Sequence, residues 1–205
     1  ESQEEIYVSL PEERGSNLID HQPLQPGFCY SISQDDSGMS LLQMEVSVTP
    51  GKGKLSISGI SKQVVKENIR NVHQYIKANE KTVLSQEHTL NNYDLSLQVT
   101  TLMGSGIGAN IGGAVFVAFI SAIYKRHLKP GLAILGDLSV SGGIGRVDNF
   151  SDKLAMLSEN GSLMVLSPME NLNELQNIPP SVLNNTDVSF YSDSQMLLQK
   201  AILNE

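Results

Sequence analysis

The sequence predicts an α+β (mixed α/β) domain: an antiparallel strand meander, then β-α units around one buried central helix. Three observations carry this. Ile111–Tyr124 is apolar on nearly every side, which puts a helix inside the domain rather than on its surface. Asp94–Thr100 alternates polar and apolar residues, with Leu95, Leu97 and Val99 on one face, as a half-buried strand does. The earlier apolar runs have strand period and turn-rich joints, whereas the later ones alternate with helical patterns.

Residues 1–26 are acidic and broken by Pro11, Pro23 and Pro26; they read as a linker or arm, with residues 27–205 as the domain. Gly27–Gln34 and Leu41–Val48 are strands joined across Ser33–Ser40, whose composition suits a hairpin. Lys54–Ser58 is a third strand after the Pro50–Lys54 turn. From Ser61 to about Asn79 runs an amphipathic helix with Val64, Val65, Ile69, Val72, Tyr75 and Ile76 as its buried stripe. The strand at Asp94–Thr100 then leads into the glycine loop Met103–Ala109. Asn110 can cap the next helix, because its side-chain oxygen accepts an orphan helical N–H. Lys125, Arg126 and His127 suit the negative end of that helix's dipole, and Pro130 and Gly131 stop it. Leu132–Leu135 is a strand. Asp148 or Ser151 caps a helix carrying Lys153, Leu154, Met156 and Leu157. A strand at Leu163–Leu166, a short helix at Pro168–Gln176, a strand at Asp187–Tyr191 and a helix at Ser194–Leu203 close the chain.

With 205 residues there is length for one domain with a real core. The net charge of −8 argues against a free-standing nucleic-acid binder. The lone cysteine, Cys29, lies in a strand pattern and reads as a small buried hydrophobe, so no internal disulfide forms. That, with no signal-peptide pattern and no apolar run long enough to span a bilayer, points to a reducing, cytoplasmic compartment and no membrane contact. The chain begins at Glu1 rather than Met and is expected to be a fragment.

Gly104–Ala109 matches the dinucleotide fingerprint G-x-G-x-x-A between a strand and a helix, which makes a dinucleotide-binding domain one alternative. Against it, the preceding strand alternates, and the acidic ribose partner is missing at the usual distance of about 20 residues. Gly51–Ser56 (GKGKLS) lacks the first phosphate-loop glycine and reads as a hairpin turn. His21, His73, His88 and His127 lack metal-ligand spacing and read as surface or partly packed residues.

PGKGKLSISG (Pro50–Gly59), NIGGAVFVAFISAIY (Asn110–Tyr124), LKPGLAILGDLSVSGGIGRVDNFSDKLAMLSENG (Leu128–Gly161) and MVLSPMENLNELQNIPPSV (Met164–Val182) occur in this order with near-gapless spacing. In this, most of the chain resembles the proteolytic domain of Lon-type ATP-dependent proteases. The DVSFYSD ending (Asp187–Asp193) is similar to Lon-like C-terminal domains of AAA+ proteins in BREX anti-phage defence. The resemblance implies a Ser–Lys hydrolase fold. Its serine opens the central helix, and a lysine on a later helix is the base.

Aligned on that helix, Asn110 stands at the nucleophile position and Lys153 at the base position. A carboxamide has no ionisable hydroxyl and cannot form an acyl-enzyme. The family's loop aspartate is Ile107 here, the threonine that supports the lysine is Leu135, and two histidines often seen before the loop are Ser96 and Gln98. The resemblance therefore implies a proteolytically degenerate domain used for assembly or partner contact. Ser105 as a displaced nucleophile is the alternative that keeps endopeptidase activity. On purely local grounds, Asn110 is a helix cap and Lys153 a surface lysine in a first helical turn. The family pattern further implies a hexameric ring, a protein substrate or defence-system partner, and no cofactor in this stretch; ATP and Mg²⁺ would bind an ATPase region outside it.

Overall fold

The computed structural model describes residues 17–84 and 88–203. In chain order the elements are β1 (Phe28–Asp35), β2 (Gly38–Pro50), β3 (Leu55–Ser58), α1 (Gln63–Ala78), α2 (Glu80–Val83), β4 (Tyr93–Met103), α3 (Gly112–Tyr124), β5 (Leu132–Ile134), β6 (Asp137–Leu138), β7 (Ile144–Gly145), α4 (Phe150–Glu159), β8 (Met164–Pro168), α5 (Pro180–Leu183), β9 (Asp187–Tyr191) and α6 (Ser194–Ala201). A 3₁₀ segment, Met169–Asn177, follows β8 in place of the expected short helix.

Seven strands form one mixed sheet in the order β3-β4-β2-β1-β5-β8-β9. β1, β5, β8 and β9 are parallel, while β2 is antiparallel to both β1 and β4. The expected meander is thus β1-β2-β4. β3 does not continue it but pairs in parallel with β4 at the sheet edge, Leu55 beside Leu95 and Ile57 beside Leu97. The Pro50–Lys54 turn is therefore not a hairpin joint: the chain leaves β2 there, and β4 returns between β2 and β3.

α3 lies against β1 and β2, flanked by α1 and α6. Every residue from Gly112 to Ile123 is buried, as an all-apolar helix requires. The helix ends at Tyr124, where the apolar run ends, and it is Lys125 rather than Pro130 that stops it. Lys125 takes a left-handed conformation (φ 53°). Its N–H reaches the Ala122 carbonyl at 3.3 Å and the Arg126 N–H the Ser121 carbonyl at 3.0 Å, so the end is satisfied before Pro130. On α1, Val64 is 60% exposed and outside the stripe, whereas His73 is buried with it. Of the expected arm, residues 1–16 lie outside the described residues; in the remainder of it, Ile19 and Leu24 are buried and Leu24 bridges Leu128. Cys29 is buried, and burial pushes its thiol up to about 12. No described helix is long and apolar enough to cross a membrane.

Candidate active site

The glycine loop leaves β4 and folds back over the end of β1. A Cβ added at Gly106 would collide with the Asp35 carboxylate, and one at Gly108 with the Gln34 carbonyl oxygen. The Gly106 N–H donates to Ser40 Oγ at 3.2 Å. Glycine is needed at Gly108, where backbone occupies the space a side chain would take, while at Gly106 the obstacle is the end of the Asp35 side chain. The dinucleotide reading fails on topology rather than on space. β4 is antiparallel to β2, so it is not the opening strand of a doubly wound parallel sheet.

Asn110 leaves the loop in the left-handed region (φ 69°), exposed, one residue before the N-cap Ile111. It does not cap α3, since an N-cap side chain works from an extended backbone. Asp137 does so from across the fold. Its Oδ1 accepts the Gly112 N–H at 3.2 Å and the Leu138 N–H at 2.8 Å. Asn68 on α1 donates Nδ2 to both carboxylate oxygens, at 2.9 and 2.8 Å. The Gly113 N–H is taken by the Gly136 carbonyl at 3.1 Å. The Gly136–Asp137 pair therefore satisfies the first turn of α3 and places an anion at its positive end.

Beside this turn is a cavity of about 350 Å³ walled by Asn110, Gly136, Asp137, Ser139, Arg146 and Val147 among others. The 3₁₀ segment holds its far wall. Buried Asn171 accepts the Val147 N–H at 2.9 Å and donates to the Val147 carbonyl at 2.8 Å and to Glu174 at 2.5 Å; Glu174 is ion-paired with Arg146 at 3.3 Å. The Asp137 cap and the Asn171 clamp have no signature in the sequence, because each acts on backbone far along the chain.

Lys153 does not line this cavity. It sits in the first turns of α4, 3% exposed, its N–H bonded to the Asn149 carbonyl at 3.1 Å. Burial lowers its ammonium pKa, opposed by the nearby Asp148 carboxylate. The expectation of a surface lysine is therefore corrected: the amine is carried inward. The capping expectation for α4 is also corrected. The N-cap is Asn149, left-handed at φ 51°, and neither Asp148 nor Ser151 fills that role.

Ser105 lies elsewhere. It is exposed and lines a separate cavity of about 300 Å³ with Lys62, Asp35 and Ile107. Lys62 is ion-paired with Asp35 and holds that carboxyl below its usual range, so the one amine lining this cavity is already engaged by a carboxylate. Leu135 is buried, its carbonyl accepting the Tyr191 hydroxyl at 2.7 Å. Ser96 and Gln98 are exposed on the sheet. No group of His, Cys, Asp or Glu among the described residues is arranged to hold a metal ion. The carboxamide of Asn110 can donate and accept hydrogen bonds at the cavity but offers no hydroxyl to acylate.

Residues 12–204 match the family model described as the Lon protease (S16) C-terminal proteolytic domain. The chain is 31% identical over 204 residues to the Lon-like protease BrxL of Escherichia coli O9:H4 (strain HS), which covers 98% of this chain and 29% of that protein. It is 27% identical over 204 residues to the Lon-like protease BrxL of Bacillus cereus (strain H3081.97), with 98% and 30% covered. It is 25% identical over 189 residues to Lon protease 1 of Thermus thermophilus, with 92% and 24% covered. The chain thus spans less than a third of the length of these relatives.

Proposed function

Since this chain belongs to the family of Lon protease (S16) C-terminal proteolytic domains, we propose that it is a member without Ser–Lys hydrolysis, serving assembly or partner contact. The observation that carries this is Asn110, an amide on the cavity wall at the position that corresponds to the family serine. Lys153 supports the reading from the other side. It is buried with its proton affinity lowered, as the family's base would be, yet the position it would deprotonate has no hydroxyl. The displaced-nucleophile alternative is disfavoured because Ser105 faces an ion-paired lysine in another cavity. In the longer protein, the domain would sit in a hexameric ring below an ATPase region that binds ATP and Mg²⁺, and would meet a protein substrate or partner protein.

The test is a serine-reactive fluorophosphonate probe together with a labelled-casein assay on the purified chain. Neither labelling nor cleavage is expected. Stoichiometric labelling at Ser105, or casein cleavage, would overturn the reading.

A further inference from the structure

Three non-glycine residues among those described have positive φ: Asn110, Lys125 and Asn149. Lys125 ends α3, where a left-handed residue is ordinary. The other two each stand just before one of the two helices that carry the site, α3 and α4. Asn149 is the unusual one. As the N-cap of α4 it holds a left-handed backbone, and its side chain makes no cap bond. An asparagine N-cap normally gives its side-chain oxygen to the first turn. Here its Nδ2 points away and donates to Gln34 Oε1 at 3.0 Å. From its left-handed backbone Asn149 makes no local cap bond and instead makes an exposed contact with a residue 115 positions away. Strain of this kind is kept where surrounding structure needs it.

Gln34 is also the residue on which the glycine loop rests, its carbonyl filling the space over Gly108. Its neighbour Asp35 fills the space over Gly106 and is pinned by Lys62. The end of β1 therefore touches the loop that delivers Asn110 and, through Asn149, the turn that delivers Lys153. The Asn149 carbonyl in turn accepts the Lys153 N–H.

We propose that Gln34 and Asn149 form a strut that sets the first turn of α4, and with it Lys153, against the glycine loop bearing Asn110. Both are positioning residues: neither reacts, and their effect passes through Lys153. The inference rests on the reading of Asn110 and Lys153 as the remnant of the Ser–Lys site.

The experiment is a double-mutant cycle on the full 205-residue chain, with Gln34→Met and Asn149→Gly, read by the titration midpoint of Lys153 from its side-chain carbon shifts in NMR. Gln34→Met deletes the acceptor at similar size. Asn149→Gly deletes the donor and keeps the left-handed backbone at no steric cost, so the fold is not put at risk. Each single substitution should let α4 relax outward and raise the midpoint by about half a unit, roughly a threefold change in the acid constant. The double variant should move no further than either single. Unchanged midpoints, or single shifts that add, would overturn the strut. An ordinary midpoint in the unsubstituted chain would overturn the strut and the buried remnant together, whereas hydrolysis by the unsubstituted chain would overturn only the proposed loss of activity.

Discussion

Lys153 brings an ammonium into a site that leaves it 3% exposed, with Asp148 as the carboxylate that partly offsets the burial. Its folded pKa lies below the unfolded value of about 10.4. As pH falls through the unfolded value, the unfolded chain takes up the proton first, so folding loses stability until the folded pKa is passed. The full cost is present once pH lies below the folded pKa. Lys153→Met keeps the stem's packing and removes the charge, and should stabilise the domain by about 1 kcal/mol at pH 7. Thermal melts should show the gain shrinking towards pH 10; a variant less stable than the parent at both pH values would mean the ammonium has a partner that repays its burial. His73 gives the same sign in a lower window. It is buried against the edge of Phe119, its Nε2 lacks a partner, and burial lowers its pKa. Stability should therefore fall as pH drops below about 6.5. His73→Leu should flatten that part of the melting profile, and an unchanged acid slope would show that His73 opens to solvent.

At the scale of elements, α3 depends on two things far from it in sequence. One is its all-round burial. Phe116 and Phe119 are both fully buried, and truncating either to alanine should cost about 3–5 kcal/mol in denaturant unfolding. A loss under about 1 kcal/mol would contradict the core placement. The other is the Asp137 cap, whose removal as Asp137→Ala should cost about 2 kcal/mol, since two backbone N–H groups and the Asn68 amide lose a charged acceptor together. The two dependences differ in how far the sequence exposes them. Burial of α3 is legible because periodicity is local: no polar face appears between Ile111 and Tyr124. The cap is not, because Asn110 is a plausible local candidate and nothing local says that the chain enters α3 left-handed. The same holds for β3. Its pattern reads as a strand, but its parallel pairing with β4 is decided by where the chain goes after α1. Lys153 is placed by its resemblance to a family pattern; on local grounds it reads as a surface residue, and only the packing of α4 shows it buried. The Gln34–Asn149 contact has no sequence signal at all.

At the scale of the whole molecule, the sheet ends in two different strands, β3 and β9. Lys200 partly covers the β9 end by donating to Ser189 Oγ at 2.9 Å and the Phe190 carbonyl at 2.5 Å, whereas β3 is a four-residue edge with alternate residues exposed. A contact between copies at these unlike edges would be head-to-tail, the kind that closes rings. Against association stands the net charge of −8, which makes copies repel at low ionic strength. Salt shortens the reach of that repulsion, from about 10 Å at 0.1 M to about 3 Å at 1 M. If ring assembly is what maintains this fold in the absence of a nucleophile, the isolated chain should associate weakly. Its mean mass in light scattering should rise with protein concentration and with added salt. A stable ring, six-membered on the family pattern, should need the longer protein with ATP and Mg²⁺ bound. Mass that falls as salt is added would show that attraction between charges, not apolar or edge contact, holds copies together. A longer protein that remains monomeric with ATP and Mg²⁺ would leave partner contact as the remaining role for the domain.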